Sequence, residues 1–332
     1  TWFRVLAIVA ILLSVGSPVV AAHDPAPPAE PADGPGGQAR TYPAVRQERF
    51  GDRPDGYWLF EPVSASGEVP SEPQPLVIFL HGFMSVFPEM YGTWVDHIVR
   101  GGAVLIFPDF QTLNPLTLRP DEYLENAMRA VESALVELEA ANRASVDLAN
   151  TAVVGHSVGG VLAVNYAALA EERGLPVPRV IMPVEPGGCS GCMEGPFGGF
   201  GLDLMDLSAI DPSSRAIVVA GDDDWVVGTE PARLIWESLS SLQPGHRDLV
   251  ILRSDDHGSP ELRADHLLPV EQVGGQVDAL DWYGTWKLLD ALMACAFQGS
   301  DCGKALSGSE FQHDMGVWSD GTKVIAPLIE SA

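Results

Sequence analysis

The distribution of apolar and polar residues changes near residue 76. From there on, short runs that are apolar throughout alternate with longer stretches in which apolar residues recur at helical spacing. A strand buried on both faces has no polar side, so the short runs predict a mostly parallel sheet with helices on both faces, an α/β fold. Two extended segments before this region, 45–50 and 57–62, predict an antiparallel N-terminal edge. The other predicted strands are 76–80, 103–107, 151–154, 180–184, 216–220 and 249–252, and the predicted helices are 90–100, 120–142, 158–173, 229–241 and 276–296.

The N-terminal residues predict export rather than structure. Residues 1–22 combine Arg4, an apolar run over 5–15 and small residues at 20–22, the pattern of a secretory signal peptide. A membrane anchor is the alternative, but the run is shorter than the roughly 20 residues that span a bilayer, so we expect no stable membrane span. Residues 23–40 are rich in Pro, Gly and Ala and predict a disordered linker. The protein is therefore expected to be secreted or periplasmic, with one folded domain over 41–332.

The charge of the chain excludes one class of partner. Its 45 acidic residues outnumber 19 basic ones, which gives a formal net charge of −26. Such a surface repels polyanions, so nucleic acid is not expected as a partner. The sequence does not predict an oligomeric state.

Four cysteines form two close pairs in the sequence. In an exported chain they predict disulfides, with Cys189–Cys192 and Cys295–Cys302 favoured among the three possible connectivities. The first pair belongs to a loop over 186–206, and the second lies where a C-terminal extension, 298–332, begins. A redox motif or half of a zinc site is the alternative for Cys189 and Cys192. Their glycine-rich surroundings and the lack of further ligands at suitable spacing favour the disulfide.

Ser157 is the candidate nucleophile. It lies in the segment Gly-His-Ser-Val-Gly-Gly over 155–160, between the predicted strand 151–154 and the predicted helix 158–173. In a strand–turn–helix context this pattern places a serine on a strained turn, and glycines on both sides avoid collisions of a Cβ with the neighbouring elements. An ordinary glycine-rich loop with a solvated serine is the alternative.

The partners of a nucleophilic serine are expected in loops at the carboxyl ends of strands. After strand 216–220 come Asp222, Asp223 and Asp224, and Asp224 is the candidate acid because the apolar residues after it would bury the turn. A calcium site is the alternative for this acidic run. After strand 249–252 comes His257, the candidate base, with His266 as its competitor.

The loop after strand 76–80 is the third candidate. It reads His81-Gly82-Phe83, and glycine at 82 lets the backbone approach a bound group. The backbone N–H groups of Phe83 and Val158 are the candidate donors to a developing oxyanion. His81 is a further candidate base, although a histidine here more often braces the loop.

These motifs, in this order, resemble those of the alpha/beta-hydrolase superfamily over about residues 45–296. The segments 77–83 and 155–160 resemble the group of chlorophyllases, platelet-activating-factor acetylhydrolases and cutinase-like polyester hydrolases. The resemblance implies Ser157 as nucleophile, Asp224 as acid, His257 as base, and Phe83 and Val158 as oxyanion donors. The loop 186–206 and the tail around 315–321 depart from the common core and put the substrate class in doubt.

The expected activity is hydrolysis of carboxylic esters through an acyl-enzyme, without a cofactor or a metal. Expected substrates are small-molecule, lipid or polymeric esters. His156, Trp225 and Trp94 are the candidate pocket residues, together with Phe83. The alternatives are a serine peptidase or amidase on the same fold and a catalytically silent binding protein.

Overall fold

A single nine-stranded sheet forms the centre of the protein. The computed structural model describes residues 24–192 and 201–332, so the predicted signal peptide and the middle of the loop 186–206 lie outside the described residues. The strands are β1 (Ala44–Phe50), β2 (Tyr57–Val63), β3 (Gln74–Leu80), β4 (Val104–Pro108), β5 (Val146–His156), β6 (Val180–Val184), β7 (Arg215–Gly221), β8 (Arg247–Leu252) and β9 (Leu328–Ser331).

The strand order in the sheet is β1-β2-β4-β3-β5-β6-β7-β8-β9. The six strands from β4 to β8 pair in parallel, whereas β1 pairs antiparallel with β2 and β2 pairs antiparallel with β4. This confirms the predicted α/β class and the predicted antiparallel N-terminal edge. The pattern failed to predict β9, which pairs antiparallel with β8. This strand is short and mostly exposed, so it lacks the apolar run from which the other strands were predicted.

The helices lie between the strands, and the first five lie close to their predicted positions, whereas the last two, which are short, were not predicted. They are α1 (Gly92–Gly101), α2 (Tyr123–Leu138), α3 (Val158–Leu169), α4 (Glu230–Ser238), α5 (Trp286–Met293), α6 (Cys302–Ala305) and α7 (Glu310–His313). π-helical turns at Asp281–Thr285 and Ala294–Gln298 extend α5 at both ends, and the second ends two residues beyond the predicted helix 276–296. In the described parts of the chain, no helix has the combined length and apolar character that a membrane span requires.

Two apolar cores lie on the two faces of the sheet. One joins β3, β5 and β7 to α2, α3 and α4, and the other joins the opposite faces of the same strands to α1 and α5. Every residue of α3 except the last is buried because the helix packs between the sheet and the connection that follows β6. This arrangement fixes the N-terminus of α3 against the carboxyl ends of the parallel strands.

The predicted disordered linker is wrong for the described residues 24–40, which pack against the domain. Ser259 N–H donates to the Pro25 carbonyl at 2.9 Å, and Ala26 N–H donates to Ser319 Oγ at 2.9 Å. Gly36 N–H donates to Asp290 Oδ2 at 2.8 Å. A segment poor in bulky apolar residues cannot form a core of its own, but its backbone can bond to a surface that the rest of the chain has already formed.

Both predicted disulfides are present, Cys189–Cys192 and Cys295–Cys302. The second links the end of α5 to the start of α6 and so ties the C-terminal extension to the domain. This extension carries Trp318, which is buried and donates from Nε1 to Asp255 Oδ2 at 3.1 Å. It therefore packs on the loop that follows β8.

Candidate active site

Ser157 occupies a strained turn between β5 and α3. Its backbone has φ 55° and ψ −121°, a conformation that non-glycine residues rarely adopt and that costs roughly 1–3 kcal/mol. Backbone hydrogen bonds hold the turn, because Ser157 N–H donates to the Val184 carbonyl at 2.9 Å and Gly187 N–H donates to the Ser157 carbonyl at 3.1 Å. The end of β6 and the residues after it thus keep the side chain of Ser157 at the carboxyl edge of the sheet.

The glycines around Ser157 are sterically required. A Cβ on Gly155 would lie 2.0 Å from the Gly159 carbonyl oxygen, and a Cβ on Gly159 would lie 2.0 Å from the Leu80 carbonyl oxygen. Both obstacles are backbone atoms and cannot move aside without shifting a strand or the helix. The turn at Ser157 therefore requires glycine on both sides of the serine, as the sequence predicts.

Three side chains from three loops meet at this turn. Ser157 Oγ lies 2.9 Å from His266 Nε2, and Asp224 Oδ2 lies 2.8 Å from His266 Nδ1. The Asp224 side chain is fully buried and the His266 side chain is mostly buried. A hydroxyl, an imidazole and a carboxylate in this order form the arrangement that activates a serine, because the imidazole can take the hydroxyl proton while the carboxylate stabilises the resulting cation.

The structure does not bring His257, the preferred histidine of the sequence analysis, to Ser157. Its Nε2 lies 2.9 Å from Asp320 Oδ2, on the exposed surface. Its ring also packs edge-on against Trp318, with ring centroids 5.6 Å apart. The C-terminal extension supplies both partners, so it holds His257 on the outside, while the chain turns back and places His266 beside the serine.

A sequence signal for His266 existed but was weak. His257 is surrounded by polar and glycine residues over 254–259, whereas His266 follows the buried Leu262 and Ala264 and precedes the partly buried Leu267. Apolar neighbours indicate a segment that packs back on the fold. The shorter sequence distance from the end of β8 favours His257, but it does not predict which histidine reaches Ser157.

The three aspartates after β7 face three different partners. Asp222 Oδ1 accepts from Ser254 N–H at 2.8 Å, and Asp223 forms an exposed ion pair with Arg263. Asp224 faces the histidine, and its other oxygen, Oδ1, accepts the N–H groups of Val226 and Val227 at 2.9 and 3.0 Å. The carboxylates diverge rather than converge, which does not favour the calcium alternative.

The loop after β3 lies on the other side of Ser157. His81 is fully buried and stacks on Phe110 with ring centroids 4.0 Å apart. Its Nδ1 lies 2.6 Å from the Gly82 carbonyl oxygen and its Nε2 lies 2.8 Å from the Asp109 carbonyl oxygen. Burial lowers the pKa of His81 to about 4. These contacts make His81 a brace of the loop and leave it no nitrogen for the base role.

An apolar cavity of about 360 Å³ opens over Ser157. Its wall includes Phe83 and Val158, the candidate oxyanion donors, and His156, a predicted pocket residue; Val158 is the first residue of α3, where backbone N–H groups have no partner within the helix. The other lining residues are Gly82, Met84, Ser85, Met90, Gly187, Gly188, Val226, Val227, His266, Leu267, Val270 and Val273. Such a wall suits an apolar acyl or alcohol group.

The two predicted pocket tryptophans do not line this cavity. Trp94 is buried in the core beneath, where its ring packs edge-on against Phe79 at 5.3 Å. Trp225 is 79% exposed and lies outside, although the next two residues, Val226 and Val227, reach the wall. Both corrections have one cause: an apolar residue near a motif is placed by the packing of its own segment, which sequence proximity does not reveal.

Glu185 is a feature that the sequence analysis missed. It follows β6 directly, has a φ of 47° and is fully buried. Neither carboxyl oxygen has a hydrogen-bond partner among the described residues. Burial raises the pKa of Glu185 well above its usual value, and the nearby charges of Asp224 and Asp265 raise it further. Its surroundings therefore favour the neutral acid form of this side chain over the carboxylate.

Glu185, His156 and His266 are also the residues that could hold a metal ion. One atom of each lies within 4.8 Å of the others. However, His156 Nε2 lies 3.0 Å from the His266 carbonyl oxygen, and His266 already contacts Ser157 and Asp224 with its two nitrogens. A metal would have to break these hydrogen bonds, so the donor set does not fit a resident ion.

The comparison with protein families agrees with this geometry. Residues 77–224, a little under half of the chain, match a family described as having the alpha/beta hydrolase fold. The chain has the alpha/beta-hydrolase fold. The matched region runs from within β3 through β7, includes the Ser157 turn and ends at Asp224, so it supports a hydrolase that acts on a small-molecule substrate. A comparison with curated proteins found no match to the chain.

Proposed function

We propose that this protein is an exported serine esterase that hydrolyses carboxylic esters of apolar acids or alcohols. The observation that carries the proposal is the contact of Ser157 Oγ with His266 Nε2, at 2.9 Å, on the floor of an apolar cavity. Asp224 Oδ2 lies 2.8 Å from Nδ1 of the same ring and completes a triad of serine, histidine and aspartate. The two disulfides support export, since such bonds persist in oxidising compartments.

In the proposed mechanism, His266 takes the proton of Ser157 as Oγ attacks the ester carbonyl. The carbonyl oxygen becomes negatively charged and accepts a hydrogen bond from the N–H of Val158 at the helix N-terminus. The N–H of Phe83 is the predicted second donor. His266 then gives the proton to the leaving alcohol, and an acyl group remains on Ser157. Water, deprotonated by His266, releases the acid and regenerates the serine.

The roles of the acid follow from the same geometry. Asp224 accepts a hydrogen bond from Nδ1–H, which leaves the lone pair of Nε2 directed at Ser157. When His266 becomes an imidazolium, the buried carboxylate stabilises the charge. The backbone N–H groups of Val226 and Val227 keep the Asp224 side chain in this orientation.

The cavity indicates the substrate class. Its apolar wall favours an acyl or alcohol group without charge, and the net charge of −26 disfavours anionic substrates. Small-molecule, lipid and polymeric esters share this chemistry. The proposed substrates are therefore neutral, apolar esters from any of these three sources.

A chain-length series of p-nitrophenyl esters tests the proposal, with the matched p-nitroanilides in parallel. We expect ester turnover that Ser157→Ala abolishes, together with labelling of the intact protein by a fluorophosphonate at Ser157 alone. Preferred turnover of the anilides would assign an amidase instead. Absence of both labelling and turnover would overturn the esterase and favour a binding protein of this fold.

A further inference from the structure

A buried chain of hydrogen bonds connects the loop after β3 to the loop that carries His266. Gly82 N–H donates to Tyr91 Oη at 2.9 Å, and Tyr91 Oη lies 2.9 Å from His156 Nδ1. His156 Nε2 in turn lies 3.0 Å from the carbonyl oxygen of His266. Tyr91 and His156 are 1% and 3% exposed, so water does not compete for these bonds.

The chemistry of its two ends fixes the direction of every bond in this chain. The His266 carbonyl can only accept, so His156 Nε2 carries a proton and donates it. Burial lowers the pKa of His156 well below its usual value, and the charge of His266 lowers it further, so the ring is neutral and Nδ1 is an acceptor. Tyr91 therefore donates its O–H to Nδ1 while its oxygen accepts the Gly82 N–H, and no polar atom in the chain is left without a partner.

The two ends of the chain belong to opposite sides of the site. Gly82 directly precedes Phe83 in the loop after β3, and His266 is in the loop after β8. In the sheet, β5, β6 and β7 separate these two strands, so the strand pairing does not join the loops directly. The Tyr91–His156 chain is a direct connection between them among the described residues.

We propose that Tyr91 and His156 are positioning residues that hold the oxyanion loop and the triad histidine at a fixed separation across Ser157. This inference rests on the proposed esterase function and deepens it. Tyr91 and His156 do not take part in proton transfer, because both nitrogens of His156 and the hydroxyl of Tyr91 are used within the chain. Their effect is on the geometry of donors that act in the transition state.

Glu185 supports this assignment of His156. Its Oε2 lies 3.5 Å from His156 Nε2, the nitrogen that donates to His266. A neutral carboxyl at this place does not draw a second proton onto the imidazole, whereas a carboxylate would favour the imidazolium form. Since an imidazolium has no acceptor at Nδ1, it would break the hydrogen bond from Tyr91.

The first test is Tyr91→Phe, which removes the shared hydroxyl and little volume. We expect kcat for p-nitrophenyl acetate to fall about 10- to 100-fold with KM within about twofold, because misplaced donors weaken the transition state and leave ester binding intact. Tyr123→Phe is the matched control: Tyr123 is equally buried, but its hydroxyl has no hydrogen-bond partner among the described residues. Equal kcat values for the two variants would overturn the proposal.

The second test uses His156→Phe, which removes both ring nitrogens, and the double variant that combines it with Tyr91→Phe. If the two side chains act through one chain, either single substitution breaks it, and the double variant should lose about as much kcat as the more damaged single variant. Losses that multiply would show independent packing effects and overturn the proposal. Should Tyr91→Phe fail to fold, the kcat and KM of His156→Phe, compared with those of Tyr123→Phe, decide the question in the same way.

The results of these experiments distinguish a failure of the positioning role from a failure of the proposed esterase function. A wild-type protein that turns over no ester and takes no fluorophosphonate at Ser157 refutes the function and the inference together. A wild-type protein that is active and labelled, with Tyr91→Phe as active as Tyr123→Phe, refutes the positioning role alone.

Discussion

Replacement of His266 by glutamine is expected to abolish esterase activity, whereas the same replacement of His257 is expected to leave it unchanged. Glutamine approximates the size of histidine and can form hydrogen bonds, but it cannot accept a proton near neutral pH. The pair of variants therefore tests which imidazole serves as the base for Ser157.

The magnitude follows from the contacts that each histidine makes. His266 contacts both Ser157 Oγ and Asp224, and His156, whose ring centroid is 4.9 Å from that of His266, has both nitrogens engaged elsewhere. The described residues thus provide no substitute base, and kcat should fall on the order of 10⁴-fold or more, about 5.5 kcal/mol of transition-state stabilisation. The His257 ring pairs with the exposed Asp320 and packs on the buried Trp318, away from the cavity, and exposed ion pairs contribute little.

The assay is kcat/KM for p-nitrophenyl acetate at neutral pH, with circular dichroism and the melting temperature as checks that both variants fold. His257→Gln should stay within about twofold of the wild type, since it removes no group near the cavity. The assignment of His266 is refuted if His266→Gln keeps a tenth of the activity, or if His257→Gln loses as much as His266→Gln does.

Three further predictions concern stability. Gly159→Ala should destabilise the fold by about 3 kcal/mol or more in urea titration, because its Cβ would meet the Leu80 carbonyl oxygen at 2.0 Å, whereas Gly101→Ala, with no atom within 4 Å, should not; equal midpoints would contradict the steric argument. For Glu185, a pKa raised in the folded state means that the folded protein binds the extra proton, so stability falls as pH rises above about 4.5, by up to about 1.4 kcal/mol per pH unit. Glu185→Gln removes this dependence, so its unfolding free energy relative to wild type should increase from pH 5 to pH 8, and a constant difference would show that the carboxyl is not held neutral. Replacement of Cys295 and Cys302 by serine should cost about 2–3 kcal/mol, since the bond closes a short loop of seven residues' separation; an unchanged unfolding midpoint under oxidising conditions would contradict it.

The alternating pattern of the chain was sufficient to predict the architecture around the site. Strands β3 to β8 are buried on both faces, β5 only over its second half, 151–156, and burial on both faces is what makes a run of residues apolar throughout. The exposed strand β9 lacks such a run and was missed. The packed segment 24–40 was missed for a related reason, because it is held by backbone hydrogen bonds that leave no mark on composition.

For the candidate site, the sequence alone determined the turn at Ser157 and the preference for Asp224. Gly155 is required because its Cβ would meet the Gly159 carbonyl oxygen, and Asp224 is followed by Val226 and Val227, whose N–H groups donate to its Oδ1. Requirements that act within a few consecutive residues restrict which residue types are allowed there, so they can be read from the chain directly.

Only the tertiary structure decided which histidine reaches the serine. His257 is held by Asp320, 63 positions away, and His266 contacts Ser157, 109 positions away. It also decided that Tyr91, His156 and Glu185 share one buried space. These contacts depend on the path that the long connections between strands follow. That path is set by packing against distant residues, so the sequence of a connection carries no periodic signal of it.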